Sequence, residues 1–208
     1  MSKVLVFGAG GRAGRAAVEE ARRRGHEVTA AVRNPSKYAD LDAVAGDVTD
    51  AARVAELAAG HDAVVAAVYD GGGDPAVFFP TAAGALVDGL TKAGVPRLVW
   101  VGLTPLLPTV VGTLLMDTPG YPQDYRVFFL AHAAAADVFA SSELDWVSIA
   151  PAGDFDHEHP ERTGGYRVVP AAADSRISYA DLAIALIDEV DAPDDRRQHR
   201  TQYGVAPA

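Results

Sequence analysis

The sequence predicts an α/β fold, a doubly wound and mostly parallel sheet with helices on both faces. Three observations lead there. Short apolar runs alternate with helix-period segments at intervals of roughly 20–35 residues, the spacing of strand–helix–strand units. The runs are nearly continuous in apolar residues, as strands covered on both faces are. A glycine-rich turn, "GAGGRAG", joins the first run to the first helical segment.

The elements follow in order. Val4 to Phe7 is a short buried strand. Gly11 to Arg24 reads as a helix with Ala13, Ala17, Val18 and Ala21 on its packing side, closed by Gly25. Glu27 to Val32 is the second strand, and Val44 and Ala45 lead into "GDVTD". Ala51 to Ala59 forms a helix with Asp50 as its cap. Asp62 to Val68 is a strand, Ala82 to Ala93 a helix, and Arg97 to Val101 a strand. Ala131 to Ser141 is a helix, and "LDWVSIAP" the sixth strand. Gly71 to Pro80 and Leu103 to Tyr125, rich in glycine, proline and aromatics, read as loops. They follow strands, where doubly wound folds place their sites. Residues 152–178 mix glycine, proline and charge and are expected to form a small C-terminal lobe over the sheet. Tyr179 to Val190 is the last helix, and "RTQYGVAPA" adds an edge strand before a frayed tail. With no repeat or linker, 1–208 reads as one domain.

Bulk properties narrow the function. The formal charge of −10 disfavours broad binding to nucleic acid or an anionic membrane. The chain has no cysteine, which removes disulfides, thiolate nucleophiles and cysteine metal sites and fits a cytoplasmic location. Residues 1–9 lack the basic start and long apolar core of a signal peptide, and no run of about 18 apolar residues reads as a membrane span. The expected partner is a small molecule, with the protein a monomer or homodimer.

Two registers fit the glycine turn. Gly8, Gly10 and Ala13 match the G-x-G-x-x-A spacing of dinucleotide sites; Gly8, Gly11 and Gly14 give G-x-x-G-x-x-G. Either lets the backbone approach a pyrophosphate at a helix start, where free N–H groups face the anion. A site for NAD ordinarily places an acid at the end of the second strand. Here that position reads Ala31, Val32, Arg33, Asn34, with no carboxylate. Arg33 reads either as a fork for a 2′-phosphate, flanked by Arg12, or as a solvated side chain. The first alternative makes NADP(H) the preferred cofactor and NAD(H) a possible one. Asp47 reads as an acceptor for the adenine amino group or as a local cap, with Val48 against the ring. Tyr69 walls a ligand ring or fills a surface gap.

The layout resembles the atypical short-chain dehydrogenase/reductase group of NAD(P)H-binding, NmrA-like proteins, with the flavin-reductase branch nearest and biliverdin reductase B more distant. The resemblance rests on "VLVFGAGGRAG", "VRNPSK", "GDVTD", "HDAVVAAV", "LLMDTPGYPQDYR", "LDWVSIAPAG", "ERTGGYRV" and "SRISYADLAIALIDEV". It implies a Rossmann-like fold with the dinucleotide lying across the carboxyl ends of the strands. Gly8, Gly11, Arg12 and Gly14 would then meet the phosphates, Arg33 the adenosine end, Asp47 and Val48 the adenine, Ala67 and Val68 the ribose, and Gly102 and Pro151 the nicotinamide region. By their own chemistry, Thr104, Tyr121, Tyr125 and His132 are the substrate-facing candidates, the loop tyrosines reading either as cover for a flavin ring or as plain core. His132, on an apolar helix, reads equally as a packed side chain. The sequence departs from the group where "VGLTPL", residues 101–106, replaces a Gly-Gly-Ala-Gly-Ser-Leu-like turn; Gly102 and Leu106 fit, and Thr104 offers a hydroxyl.

Other chemistries lack their residues. The only lysines are Lys3, Lys37 and Lys92, so no Tyr-x-x-x-Lys pair exists for carbonyl reduction. "DFDHEHPE", Asp154 to Glu161, resembles a metal site in composition but has no H-E-x-x-H spacing, and none is expected there. No G-x-S-x-G elbow or G-K-[ST] phosphate loop occurs. Two classes remain: an NAD(P)H-dependent reductase acting on a free flavin or similar conjugated acceptor, and a non-catalytic dinucleotide sensor.

Overall fold

Strand β1 (Lys3–Phe7) shows how the sheet is built. Its side chains alternate: Val4 and Val6 enter one apolar core, Leu5 and Phe7 the other, and all four are buried. A strand apolar on both faces is stable only inside a sheet covered on both sides. The computed structural model describes all residues from 1 to 208 and has that form. The further strands are β2 (Glu27–Val32), β3 (Val44–Ala45), β4 (Ala63–Ala66), β5 (Arg97–Val101), β6 (Asp145–Pro151), β7 (Asp154–Phe155), β8 (Tyr166–Val169), β9 (Arg176–Ile177) and β10 (Thr201–Pro207). Eight of them form one sheet in the order β3-β2-β1-β4-β5-β6-β10-β8, parallel except for β8 against β10. Strands β7 and β9 form a separate parallel pair.

Helices α1 (Arg12–Arg23) and α5 (Tyr179–Asp191) cover one face; α2 (Ala51–Ala58), α3 (Pro75–Ala93) and α4 (Arg126–Ala140) cover the other. The strand order reverses direction of growth beside β1 and β4, the switch point where doubly wound folds open a crevice.

Three sequence expectations are corrected. Helix α3 begins at Pro75, not Ala82: Pro75 supplies a preset φ at the first turn, and the Asp74 side chain caps it by accepting from Ala76 N–H. Pro80 lies inside that helix and forfeits one backbone bond, offset by burial of Phe79 beside it. Helix α4 begins five residues earlier than expected, at Arg126. The C-terminal strand is no edge: β10 sits between β6 and β8, and residues 166–169 of the expected lobe close the sheet instead.

The interior also holds a polar knot. Arg97, 2% exposed, pairs with Asp145 at 3.0 Å and Glu189 at 2.7 Å. It ties β5 to β6 and α5 at the end of the sheet remote from the glycine turn.

Candidate functional site

Beyond Phe7 the chain turns sharply. Gly8 adopts φ +74°, and its N–H donates to the Ala31 carbonyl at 3.1 Å. A Cβ there would collide with the Ala67 carbonyl, and one at Gly14 would collide with the carbonyl of Gly8. These two glycines are fixed by close backbone approach. Gly10 differs: a Cβ there would meet only the ring of Tyr38, a side chain that can move. Gly11 is the N-cap of α1 and contributes no side-chain cap. By contrast, Asp50, Asp74 and Ser178 cap α2, α3 and α5. The first N–H groups of α1 therefore lack a side-chain acceptor, and the positive end of the helix points out of the turn. This is the chemistry a pyrophosphate fits.

Two clefts open at the carboxyl ends of the strands. The first, about 420 Å³, lies past β1, β2 and β4. Of the sequence candidates it brings together Gly8, Gly10, Gly11, Arg33, Val48, Ala67, Val68 and Tyr69. Lys37 and Tyr38 also line it; neither is among the sequence candidates, although Lys37 ends and Tyr38 follows the segment "VRNPSK". Arg33 is largely exposed and its Nη1 lies 3.1 Å from Asp70 Oδ1.

Ala13 and Gly14 lie within α1 and do not line this cleft. Asp47 is beside it, not in it: its Oδ1 accepts from the Thr49 N–H at 2.9 Å and hydroxyl at 2.7 Å, the local-cap alternative. Arg12 turns the other way. Its guanidinium lies 3.1 Å from Nδ1 of His157 and over the ring of Tyr179, which stacks on Phe155 at 3.8 Å between centroids. Arg12 thus ties the glycine turn to residues 154–157, a link across the chain that local sequence did not reveal.

The second cleft, about 580 Å³, lies past β5 and β6. Gly102, Thr104, Tyr121, Tyr125 and Pro151 line it, with Leu115, Phe129, Asp154 and Arg176. Gly102 leaves no room for a Cβ because Ser148 Oγ occupies that space. The Thr104 hydroxyl donates to the Pro151 carbonyl at 2.6 Å, so its proton serves the wall of the cleft. Burial, reinforced by Asp154, raises the Tyr121 phenol above its ordinary value. It is a neutral phenol at physiological pH.

His132 belongs to the core and lines neither cleft. Its ring is 6% exposed, 4.3 Å from Phe79 and 5.5 Å from Trp100 between centroids. Burial lowers its pKa to about 4. The packed reading describes it, and direct substrate contact is corrected. In the acidic segment, Asp156 accepts from the Glu158 and His159 N–H groups, which turns the loop on itself.

A model of the NAD(P)H-binding family matches residues 8–193. The chain belongs to that family. Its relatives place it in the atypical short-chain dehydrogenase/reductase, NmrA-like group. YwnB, an uncharacterized protein of Bacillus subtilis strain 168, is 35% identical over 213 residues and is matched over 98% of this chain and 99% of its own. A Burkholderia pseudomallei structure, described provisionally as an exported protein, is 37% identical with TM-score 0.84, covering 99% of this chain and 100% of its own. A Streptococcus pneumoniae structure described provisionally as an NADH-flavin reductase is 29% identical with TM-score 0.83 over 100% of both chains. The NAD(P)H-binding fold is thus shared with oxidoreductase-like relatives along the whole chain. No helix of the protein is long and apolar enough to cross a membrane.

Proposed function

We propose that this protein is an NADPH-dependent reductase of a free flavin or a similar conjugated acceptor. One observation carries the reading: an apolar, aromatic-walled cleft opens past β5 and β6, at the same carboxyl edge of the sheet as the glycine-turn cleft, without the groups that carbonyl reduction needs. The titratable residues lining it are Tyr121, Tyr125, Asp154 and Arg176. A catalytic tyrosine of the classical kind needs a lysine to lower its pKa, whereas Tyr121 is shifted upward. A planar conjugated acceptor asks less of the protein, because orientation and exclusion of water supply most of the effect.

When bound, a nicotinamide cofactor would supply the reducing hydride, and no side chain of the cleft would be needed as the proton source. The chain's own residues bind and orient. The uncapped N–H groups at the start of α1 hold the pyrophosphate, and Arg33 takes the 2′-phosphate. Val48 would pack on adenine, and Ala67 and Val68 would flank the ribose. Gly102 and Pro151 leave space for the nicotinamide, while Tyr121, Tyr125, Leu115 and Phe129 cover the acceptor. The description of the Streptococcus pneumoniae relative supports the choice of acceptor.

The test is anaerobic stopped-flow, following bleaching of FMN, FAD or riboflavin at saturating NADPH, after calorimetry has measured NADPH binding. Flavin reduction with little activity on simple ketones is expected. Binding without reduction of any flavin would replace the enzyme by a dinucleotide sensor. Failure of folded, ligand-free protein to bind NADPH or NADH at submillimolar concentration would remove both readings.

A further inference from the structure

We propose that Asp70 sets the cofactor preference by competing with the 2′-phosphate for Arg33. The inference rests on the assignment of Arg33 as the 2′-phosphate contact. Arg33 follows the end of β2, and Asp70 lies beyond β4. In the sheet these strands flank β1, so the 3.1 Å ion pair between them bridges over the glycine turn at the mouth of the adenosine cleft.

Asp70 is held for this contact. Its Oδ1 accepts from the Gly72 N–H at 3.3 Å, and its own carbonyl accepts from Gly73 N–H, in a segment of three consecutive glycines. The Gly72 N–H and then Arg33 keep its carboxyl below the usual carboxylate range, so it is anionic at neutral pH.

A phosphate approaching Arg33 meets an anion already in place. Binding it requires Asp70 to give up the guanidinium, or to remain as a like charge close to the phosphate. NADH has no 2′-phosphate and leaves the pair undisturbed. The penalty falls on NADPH alone. An exposed ion pair is weak, so Asp70 tunes the preference and does not block NADPH. The acid missing from the end of β2 is thereby supplied from the end of β4, as a competitor for the arginine.

The test is calorimetry with NADPH and with NADH at one low ionic strength, using wild type, Asp70→Asn, Arg33→Ala and the double variant. Asparagine keeps an acceptor for the Gly72 N–H and removes only the charge. Asp70→Asn should tighten NADPH about threefold to fivefold, the scale of an exposed ion pair, and leave NADH within about 1.5-fold. In the Arg33→Ala background the same change should give no gain. Unchanged or weaker NADPH binding, equal tightening of both cofactors, or a gain that survives Arg33→Ala would each overturn the proposal. Two failures are distinguishable. If Arg33→Ala alone leaves the NADPH-to-NADH ratio unaltered, the assignment of Arg33 falls and the proposal with it. If Arg33→Ala collapses the ratio but Asp70→Asn does not move it, only the role of Asp70 falls.

Discussion

The hydroxyl of Thr104 donates a 2.6 Å hydrogen bond to the carbonyl of Pro151. That bond joins the turn after β5 to the end of β6 and is buried in the wall of the second cleft. It converts the one hydroxyl that replaces the group's usual turn into a brace.

Thr104→Val keeps the shape and deletes the donor. The Pro151 carbonyl then loses its buried partner, at a cost of about 1–3 kcal/mol. Chemical denaturation should show that loss, while flavin reduction at saturating NADPH stays within about tenfold of wild type. A thousandfold loss of turnover with normal stability would give the hydroxyl a direct part in the reaction.

His132 predicts a pH effect on stability, not on catalysis. Burial against Phe79, Phe128 and Trp100 lowers its pKa to about 4 from the ordinary histidine value of 6.5. Between these values the unfolded chain binds the proton and the folded chain does not. Stability is therefore full above pH 6.5 and declines as pH falls toward 4, by at most about 1.4 kcal/mol per pH unit from this group. The measurement is the difference in melting temperature between wild type and His132→Leu across that range. It should change steadily with pH, and a flat difference would show that His132 is not held neutral.

The parallel sheet and its switch point were legible because they depend on local signals: continuous apolar runs, a glycine turn and capped helices. The glycine turn also marked the first cleft: Gly14 answers to the carbonyl of Gly8 within the same strand–helix unit, although Gly8 itself answers to Ala67 beyond β4. Most of what was not legible depends on burial or on long-range partners. Helix α3 was shortened in the reading because Pro80 is a local stop signal, which burial of Phe79 overrides. Arg12 has the right type and position, but its distant partner His157 decides where it points; Asp47 is engaged by its near neighbour Thr49, the local-cap alternative already open in the sequence. His132 could be read two ways until Phe79 and Trp100, distant in sequence, were seen around it. The strand β10 reads as an edge until β8, from an irregular segment, pairs with it.

Ala67 gives a steric test of the first cleft. It lines that cleft, and its carbonyl already limits Gly8 to having no side chain. Ala67→Trp places an indole in a space of about 420 Å³. NADPH and NADH affinities should both fall by at least about 100-fold, roughly 2.7 kcal/mol, with the far-ultraviolet circular dichroism retained. Unaltered binding in a folded variant would move the dinucleotide out of this cleft.

The last prediction concerns the acid side of stability and the attachment of residues 152–178. Glu20, on α1, is 4% exposed and receives Arg23, Arg24 and, from the irregular segment, Arg162 at 3.1 Å. Burial alone would raise its pKa; the bonds from Arg23, Arg162 and Arg24 outweigh that and lower it to about 2. A carboxylate held below its ordinary value stabilises the fold at pH above the unfolded value of 4.5, and the contribution is lost as pH falls toward 2. Glu20→Gln should lower the melting temperature at pH 7, where wild type has the full contribution. The gap between the two proteins should narrow as pH drops through 4.5 to 2. Arg162 contributes only part of the network, so Arg162→Ala should lower the pH 7 melting temperature less than Glu20→Gln does. It should also speed limited proteolysis within residues 152–178, because the contact with Glu20 is one of the ties holding that segment to α1. A gap that is constant with pH would mean that Glu20 acts through packing and not through its charge. Unchanged proteolysis in Arg162→Ala would leave the segment anchored by Asp181, whose carboxylate accepts from the Thr163 and Gly164 N–H groups.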